Sequence, residues 1–454
     1  MCTLNTCGSA EAGEDHGVEW CNRLQFSQKT ESTKNAGGPT VYGESREWPL
    51  EGRIRDHAMD AFLFNREIRL GNGWRRFPLK IASRRLESLR LSNRHHFGFR
   101  ENGLSAMLSV DVDSAERQFL LCGSNNGAVA VVDMNKEVPS TSTSVQCITL
   151  KVETAKRGRG SHKYAVTSCQ WYPLDSSVFV SASVDKKVKL WDANAFSVVE
   201  TFPFEEQIKN VHWSPHGGCT EIAVGLESSN ISFIDIRSGD SAQELRWKDT
   251  VNSVQFSPSN PNILASGGVH GTISIWDKRS GKSELHTFRP SVFTKHQPSI
   301  GGLKFSSEGL YLVAVDLSAA VHVYSTPNYA HIGSERLHFD SEERKRFGMN
   351  GVVRFDVSSD VGDLWAFIPG GLSVYPMKLV ELDRSNKLSG KVYRLQGSMT
   401  TLNACVYRPF YNQVIAVSKD GSGLLFYPQK DDNTEDSEHR RIEALTEDTW
   451  SDDD

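Results

Sequence analysis

The chain has 454 residues, of which 38% are hydrophobic and 24% charged, enough for a large core in a soluble protein. Its net charge of −5 excludes a protein that binds DNA or RNA over most of its surface. No apolar run reaches the roughly 20 residues of a membrane-spanning helix, and the N-terminus lacks a signal-peptide pattern. We therefore expect a protein of the cytosol or nucleus, with its eight isolated cysteines serving as small core residues.

The N-terminal part of the chain divides into two segments. Residues 1–58 are rich in small and polar residues without a sustained hydrophobic period, which predicts a disordered extension. Residues 59–92 contain a good helix N-cap, Asp60, and a favoured helix start, Pro78, on either side of a Gly-rich break. This pattern predicts a helix-loop-helix arm that either packs against the main domain or inserts into a partner.

Residues 100–429 repeat one pattern seven times. Each unit has an alternating strand, a turn, an apolar strand that ends in small residues, and a third strand that ends in a bulky residue, often followed by Asp. The segment "VNSVQFSPSNPNILASGGVHGTISIWDKRSG" (251–281) has all of these features. The bulky residues that end the units are Val132, Trp191, Ile234, Trp276, Tyr324, Tyr375 and Phe426.

The repeat predicts an all-β fold, a seven-bladed WD-repeat β-propeller with an N-terminal helical arm. The ends of the units are 42 to 59 residues apart, and about 40–45 residues are usual for a four-stranded blade, so the longer units contain inserted loops. Period-2 strands with almost no helix between them favour the same fold. We expect the Trp-Asp endings, and turn residues such as Asp185, to be structural. The acidic segment 430–454 predicts a disordered tail.

The sequence contains no motif that indicates an enzyme. Phosphate-binding, zinc-protease and nucleophile-elbow motifs are all missing. His95 and His96 are adjacent at a predicted helix end, where they point in different directions and make a poor metal pair. We therefore expect no metal, no cofactor and no catalysis, and instead a rigid binding platform. One basic cluster indicates either a solvated loop or a nuclear-import or phosphate-binding segment: Lys156, Arg157, Arg159, His162 and Lys163.

From Met59 onward the chain resembles the Cockayne syndrome group A family of WD-repeat proteins. The resemblance rests on "FLFNREIRL" and "ASRRLESLRLS" in the arm, and on "HKYAVTSCQWYPLDSSVFVSASVDKKVKLWDANA" (162–195) in the second unit. The tail "DTWSDDD" is also similar. The resemblance implies a nuclear substrate receptor of a cullin–RING ubiquitin ligase that acts in transcription-coupled nucleotide excision repair. The alternative is a WD-repeat scaffold in chromatin or RNA processing with no role in ubiquitin transfer.

The resemblance also implies two partner surfaces. The arm and one side of the ring would dock onto an adaptor of the DNA damage-binding protein 1 type. The opposite face would meet a Cockayne syndrome group B type translocase and stalled RNA polymerase II. No membrane and no direct sequence-specific nucleic acid is implied. The candidate adaptor-binding residues are Phe62, Leu63, Arg66, Arg85, Leu86, Leu89, Arg237, Asp277 and Arg279.

Two arginines are the most specific feature of this resemblance. Receptors of this kind often carry a Trp-Asp-x-Arg ending, which the chain matches at Trp276–Arg279 and, with Ile for Trp, at Ile234–Arg237. Each arginine either contacts a partner, pairs with its own aspartate, or does both. The candidates for the client face are Lys163, Tyr164, Trp247, Lys248, His270 and Lys419. Trp247 is either an exposed anchor or a residue that packs inside a blade.

Overall fold

The computed structural model describes most of the chain after residue 84. The expected extension (1–58), nearly all of the expected arm and the acidic tail (430–454) lie outside the described residues. The described ranges are 85–98, 105–139, 148–154, 160–216, 220–238, 240–247, 249–280, 284–288, 298–339, 347, 351–359, 364–371, 373–382, 391–397 and 400–428.

The described residues form 28 β-strands, one short 3-10 turn, Pro409–Tyr411, and a single helical stretch at 85–87. The strands are β1 (Leu89–Gly98), β2 (Met107–Val112), β3 (Phe119–Ser124), β4 (Val129–Pro139), β5 (Ile148–Thr154), β6 (Val166–Trp171), β7 (Val178–Ser183), β8 (Lys187–Asp192), β9 (Ser197–Pro203), β10 (Ile208–Trp213), β11 (Glu221–Leu226), β12 (Asn230–Asp235), β13 (Asp240–Arg246), β14 (Val251–Phe256), β15 (Ile263–Gly268), β16 (Ile273–Asp277), β17 (His286–Phe288), β18 (Ile300–Phe305), β19 (Tyr311–Asp316), β20 (Ala320–Ser325), β21 (Ala330–Arg336), β22 (Asp356–Ser358), β23 (Leu364–Pro369), β24 (Met377–Leu382), β25 (Val392–Leu395), β26 (Leu402–Arg408), β27 (Gln413–Ser418) and β28 (Ser422–Pro428).

The strands form a seven-bladed β-propeller, as the repeat predicts. Blades 1 to 6 take the strands from β2 to β25 in consecutive groups of four, and blade 7 combines β26, β27 and β28 with β1. The first strand of each blade lies innermost and the fourth outermost. The apolar core lies between neighbouring blades: Val180 and Leu190 of blade 2, for example, pack with Trp213 and Val224 of blade 3. No blade buries its faces alone, so the ring folds as one unit.

Strand β1 closes the ring by completing the last blade. It pairs antiparallel with β28, from Leu89 opposite Pro428 to Gly98 opposite Ser422. A single parallel pairing, His95 with Ile148, joins it to blade 1. The expected arm over 59–92 and the propeller start at residue 100 are therefore wrong at their common boundary. Among the described residues of this segment, 85–87 are helical. From Leu89 onward, including His95 and His96, the chain is a strand because it pairs with the otherwise free edge of β28.

Blade 2 contains a buried chain of four hydrogen-bonded side chains. The Nδ1 atom of His162 lies 3.0 Å from the Asp185 carboxylate, and its Nε2 atom lies 2.7 Å from Ser181 Oγ. The indole nitrogen of Trp191 donates to the same Ser181 oxygen at 2.7 Å. The structural role expected for Asp185 and Trp191 is confirmed by these contacts. His162 is buried, so it does not belong to a solvated basic loop.

Blade 4 builds the same junction from different residues. Trp276 donates to Ser266 Oγ at 2.8 Å, but Trp247 occupies the position that His162 has in blade 2. Asp249 supplies the carboxylate from the connection between the blades. It accepts from the backbone N–H of His270 at 2.9 Å and from Thr272 Oγ1 at 2.8 Å, and it lies 2.6 Å from His270 Nδ1. In blade 2 the carboxylate thus comes from the turn between the second and third strands, whereas in blade 4 it comes from the loop before the first strand.

Blade 6 departs from the expected repeat. Tyr375 was predicted to end its third strand, but it precedes β24 and is 43% exposed. Glu381 lies opposite Trp365, as Trp276 lies opposite Leu264 in blade 4. The third strand lies further along the chain than predicted, because the apolar residues of 377–382 follow Tyr375 and form the strand themselves.

The innermost strands are linked to one another by side chains around the ring. In five blades a side chain accepts a hydrogen bond from a backbone N–H in the next blade. These hydrogen bonds fix the register of the neighbouring innermost strands. These contacts are Asp111 with Trp171 (2.8 Å), Gln170 with Trp213 (2.6 Å), His212 with Phe256 (3.1 Å), Gln255 with Phe305 (2.6 Å) and Asp356 with Tyr407 (2.8 Å). Blade 5 has Lys304 at this position, and its ammonium lies 3.2 Å from Asp356.

Candidate functional site

The ring has two faces that different connections build. Strand directions alternate within a blade, so first-to-second and third-to-fourth connections lie on one face, here called the lower face, which carries Arg237 and Arg279. Second-to-third turns and the connections between blades lie on the opposite face, here called the upper face, which carries Tyr164, His270 and Lys419. The two candidate adaptor-binding arginines therefore lie on the face opposite to these candidate client-binding residues.

Arg279 pairs with the aspartate of its own turn on the lower face. Its Nε and Nη2 atoms donate to the two carboxylate oxygens of Asp277 at 3.0 and 2.7 Å. These hydrogen bonds hold the pKa of Asp277 below its usual range. The Arg279 side chain is nevertheless 67% exposed. Internal pairing is thus present, and it holds the exposed guanidinium in one direction.

Arg237 is at the equivalent turn of blade 3, but its side chain is not held in the same way. Asp235 Oδ1 accepts from Thr220 Oγ1 at 2.6 Å and from the backbone N–H of Arg237 at 3.0 Å. In blade 3 the Asp235 oxygen therefore accepts from Thr220, whereas the equivalent Asp277 oxygen of blade 4 accepts from the Arg279 side chain. The exposed Arg237 guanidinium has no side-chain partner among the described residues. Between the two turns, Lys278 of blade 4 pairs with Glu221 of blade 3.

The other residues expected to bind the adaptor separate into three groups. Leu86 and Leu89 are both 0% exposed and pack with Trp365 and Phe426 in the core of blades 6 and 7. A surface role for these two leucines is therefore wrong, because their side chains hold the first strand onto the ring. Arg85 is half-buried beside them. Phe62, Leu63 and Arg66 lie outside the described residues.

On the upper face, the two aromatic candidates differ in exposure. Trp247 is 6% exposed and packs edge-on against Trp276, so it is a blade-packing residue and not an anchor for a client. Tyr164 is 53% exposed. The ammonium of Lys163 lies 5.5 Å from the centre of the Tyr164 ring, within the range of a cation–π contact. Lys248 lies outside the described residues.

The two remaining candidates are exposed on the upper face. The His270 side chain is 78% exposed even though its Nδ1 atom lies 2.6 Å from Asp249. Lys419 is exposed in the turn between β27 and β28, and among the described residues only its backbone N–H is engaged, donating to the Thr401 carbonyl at 2.9 Å. Lys163, Tyr164, His270 and Lys419 are thus all accessible. Lys163 and Tyr164 lie together in the connection between blades 1 and 2, whereas His270 and Lys419 lie in turns of blades 4 and 7.

The upper mouth of the central channel contains a cation that sequence reasoning missed. Arg354 reaches across the channel from blade 6, and its Nη2 donates to the backbone carbonyl of Thr167 in blade 2. Two cavities of ≈ 260 and ≈ 360 Å³ share Arg354 in their walls. Burial lowers the pKa of Arg354 to about 10. The sequence carries no sign of this role, because Arg354 lies in a weak copy of the repeat.

The described part of the chain contains no group of three or more His, Cys, Asp or Glu side chains that could hold a metal ion. Three cysteines are described there, Cys122, Cys169 and Cys405, and all are buried and free. None of its helices is long and apolar enough to cross a membrane.

Comparison with known proteins supports the repeat from an independent direction. The family model described as "WD domain, G-beta repeat" matches residues 156–192 and 240–277. These two segments contain the third strands that end in Trp191-Asp192 and Trp276-Asp277, in blades 2 and 4. The chain has no Trp-Asp ending in its other blades, which agrees with the two places where the family model matches.

Several curated proteins are similar to parts of the chain. "WD repeat-containing protein ATCSA-1" of Arabidopsis thaliana is 33% identical over 209 residues, which cover 45% of this chain and 45% of the relative. "Radiation-sensitive protein 28" of Saccharomyces cerevisiae is 27% identical over 138 residues, 29% of this chain and 27% of the relative. "Histone acetyltransferase type B subunit 2" of Debaryomyces hansenii is 27% identical over 205 residues, 41% of this chain and 46% of the relative. The match thus spans less than half the length of each relative, and with the seven blades it establishes that the chain is a WD-repeat β-propeller protein.

Proposed function

We propose that this chain is the substrate receptor of a cullin–RING ubiquitin ligase in the nucleus, acting in transcription-coupled nucleotide excision repair. It does no chemistry of its own. Its lower face docks onto an adaptor of the DNA damage-binding protein 1 type. Its upper face engages a Cockayne syndrome group B type translocase on stalled RNA polymerase II. The receptor accelerates ubiquitin transfer by raising the local concentration of client lysines near the charged ubiquitin carrier.

The observation that carries the proposal is the pair of arginines on neighbouring blades of the lower face. Arg237 is exposed without a side-chain partner in the described structure, and Arg279 is exposed but held by Asp277. Arginines in this arrangement can form forked hydrogen bonds with carboxylates or backbone carbonyls of a partner. Similarity to ATCSA-1 and to a radiation-sensitivity protein supports a repair role.

The docking model is tested by binding of the purified full-length chain to purified DNA damage-binding protein 1, measured by biolayer interferometry. Arg237→Glu and Arg279→Glu should each weaken binding by about 10-fold or more, because a hydrogen bond to a charged group contributes about 1.5–3 kcal/mol. Arg246→Glu is the matched control. This exposed residue ends the outer strand of the blade that carries Arg237, at the upper end.

Two results would contradict the docking model. One is unchanged adaptor binding in both arginine variants. The other is an equal loss in the Arg246 control, which would reveal a dependence on total charge and not on the lower face. Circular dichroism of each variant separates weak binding from failure to fold.

The alternative is a propeller scaffold in chromatin, without a role in ubiquitin transfer. Similarity to the histone acetyltransferase subunit favours it, since that relative matches 41% of the chain. The adaptor assay discriminates between the two. A scaffold of this kind would show no affinity for DNA damage-binding protein 1 and would co-purify from nuclei with histones.

A further inference from the structure

The upper mouth of the central channel concentrates positive charge in a protein whose net charge is −5. Arg354 and Lys419 line one cavity, and Arg354 and Lys209 line the second. No Asp or Glu is among the described residues that form these walls. Lys209 is offset by Glu227, whose carboxylate lies 3.0 Å from its ammonium. The charge available to a ligand therefore belongs to Arg354 and Lys419.

Arg354 has a donor that the fold leaves unused. Its Nη2 is engaged by Thr167, but the Nε–H is buried without a hydrogen-bond partner in the described structure. A buried polar group without a partner destabilises the fold, and more so when it is charged. A ligand oxygen that accepts from this N–H would remove that destabilisation.

The rest of the mouth is suited to a short peptide. Leu108, Val352, Phe347 and Leu402 provide apolar walls, and the side chains of Asn125 and Thr401 add polar groups. Pockets that bind ligands usually combine mostly apolar walls with a few convergent polar groups in about 300–1,000 Å³. The two cavities, ≈ 260 and ≈ 360 Å³, hold one or two side chains and not a folded domain.

We propose that this mouth binds an acidic peptide segment of a partner protein, with one Glu or Asp carboxylate seated between Arg354 and Lys419. Apolar residues beside that carboxylate pack on the walls formed by Leu108 and Val352. The proposal goes beyond the ligase function, which gives the upper face to a translocase without assigning a binding site there. It gives the chain a peptide-reading site in addition to its lower face.

Two other occupants fit the structure less well. Nucleic acid would require a track of cations for successive phosphates, whereas the mouth presents one isolated pair. Strand β28, which precedes the chain's own acidic tail in the sequence, ends at Pro428 on the lower face. A partner peptide can approach the upper mouth directly.

The experiment is fluorescence anisotropy with the purified full-length chain and a fluorescein-labelled, capped peptide, Gly-Leu-Glu-Leu-Gly. The same peptide with Gln for Glu is the matched probe. We expect the Glu peptide to bind at least tenfold more tightly than the Gln peptide. Lys419→Glu should remove this preference, and Arg354→Gln should reduce it. Arg336→Glu, an exposed residue at the end of the outer strand of blade 5, should leave it unchanged.

The proposal fails if the Glu peptide shows no preference over the Gln peptide, or if Lys419→Glu keeps that preference. Lys419 is exposed, so its variant tests the site even where Arg354→Gln does not fold. A short oligothymidylate that binds where the peptide does not would overturn the peptide assignment in favour of nucleic acid. A zero-length cross-link between Lys419 and residues 430–454 of the same molecule would overturn it in favour of the tail.

Discussion

The hydrogen-bonded chain in blade 2 makes a sharp test of how this propeller is stabilised. Ser181 Oγ lies 2.7 Å from both Trp191 Nε1 and His162 Nε2, and all three residues are buried. Burial lowers the pKa of His162, which therefore stays neutral. Its Nδ1 faces the Asp185 carboxylate, so we assign the ring proton to Nδ1. Ser181 then accepts from Trp191 and donates to His162.

Ser181→Ala should leave two buried groups unpaired at once, the indole N–H of Trp191 and the Nε2 lone pair of His162. Each such group costs about 1–3 kcal/mol, so we expect the free energy of unfolding to fall by about 3 kcal/mol. Blade 4 offers an internal control, because there Ser266 accepts only from Trp276 and a tryptophan, Trp247, replaces the histidine. Ser266→Ala should therefore cost about 1.5 kcal/mol.

Equilibrium unfolding in urea, followed by circular dichroism and by tryptophan fluorescence, measures both losses. Coincident transitions from the two probes justify comparing the free energies. The expected result is a loss for Ser181→Ala about twice that for Ser266→Ala. Equal losses would refute the two-bond assignment. A larger loss for Ser266→Ala would mean that packing around the serine, and not hydrogen bonding, dominates.

Two further predictions concern the carboxylates. Asp249→Ala should lower the free energy of unfolding by about 2–4 kcal/mol, because three donors lose their acceptor. His270→Ala should lower it by less than about 1 kcal/mol, because the His270 side chain is 78% exposed. Urea unfolding of both variants checks this difference. Burial raises the pKa of Asp111 from 3.8 to about 7, partly offset by Lys304, so its contribution to stability is present at low pH and is lost as the pH rises toward 7. Asp111→Asn should therefore gain about 4 kcal/mol on the wild type between about pH 4 and pH 7, because each unit of pKa shift corresponds to about 1.4 kcal/mol. A stability difference that is the same at every pH would contradict this.

The repeat made the ring predictable because its signals are local. A strand that alternates between core and solvent, a tight turn and a bulky strand end fall within one stretch of sequence, as in the third strand that ends at Trp276. Closure of the ring was not predictable in the same way. Leu86 and Leu89 fit one face of a helix, yet Leu89 begins a strand whose partner, Pro428, lies at the other end of the propeller. Nothing within a local window distinguishes these outcomes.

The candidate site was predictable in part, for a related reason. The lower-face arginines follow a strand end, so their position on one face follows from the repeat. On the upper face, the sequence shows that Trp247 stands in a connection but not that it replaces the buried histidine of blade 2. Arg354 acquires its role only from Thr167, which the closed ring brings across the channel.

The inner ring of hydrogen bonds explains how the propeller tolerates its degenerate blades. Blades 5 to 7 lack the Trp-Asp ending, so they cannot use the indole-to-serine bond found in blades 2 and 4. Asp356 in blade 6 still accepts the backbone N–H of Tyr407 in blade 7, and Lys304 of blade 5 pairs with the same carboxylate. Neighbouring inner strands are thus held together independently of the third strand. This division frees the outer parts of each blade to vary, so turns on one face can carry exposed arginines while the opposite mouth carries lysine and arginine around the channel.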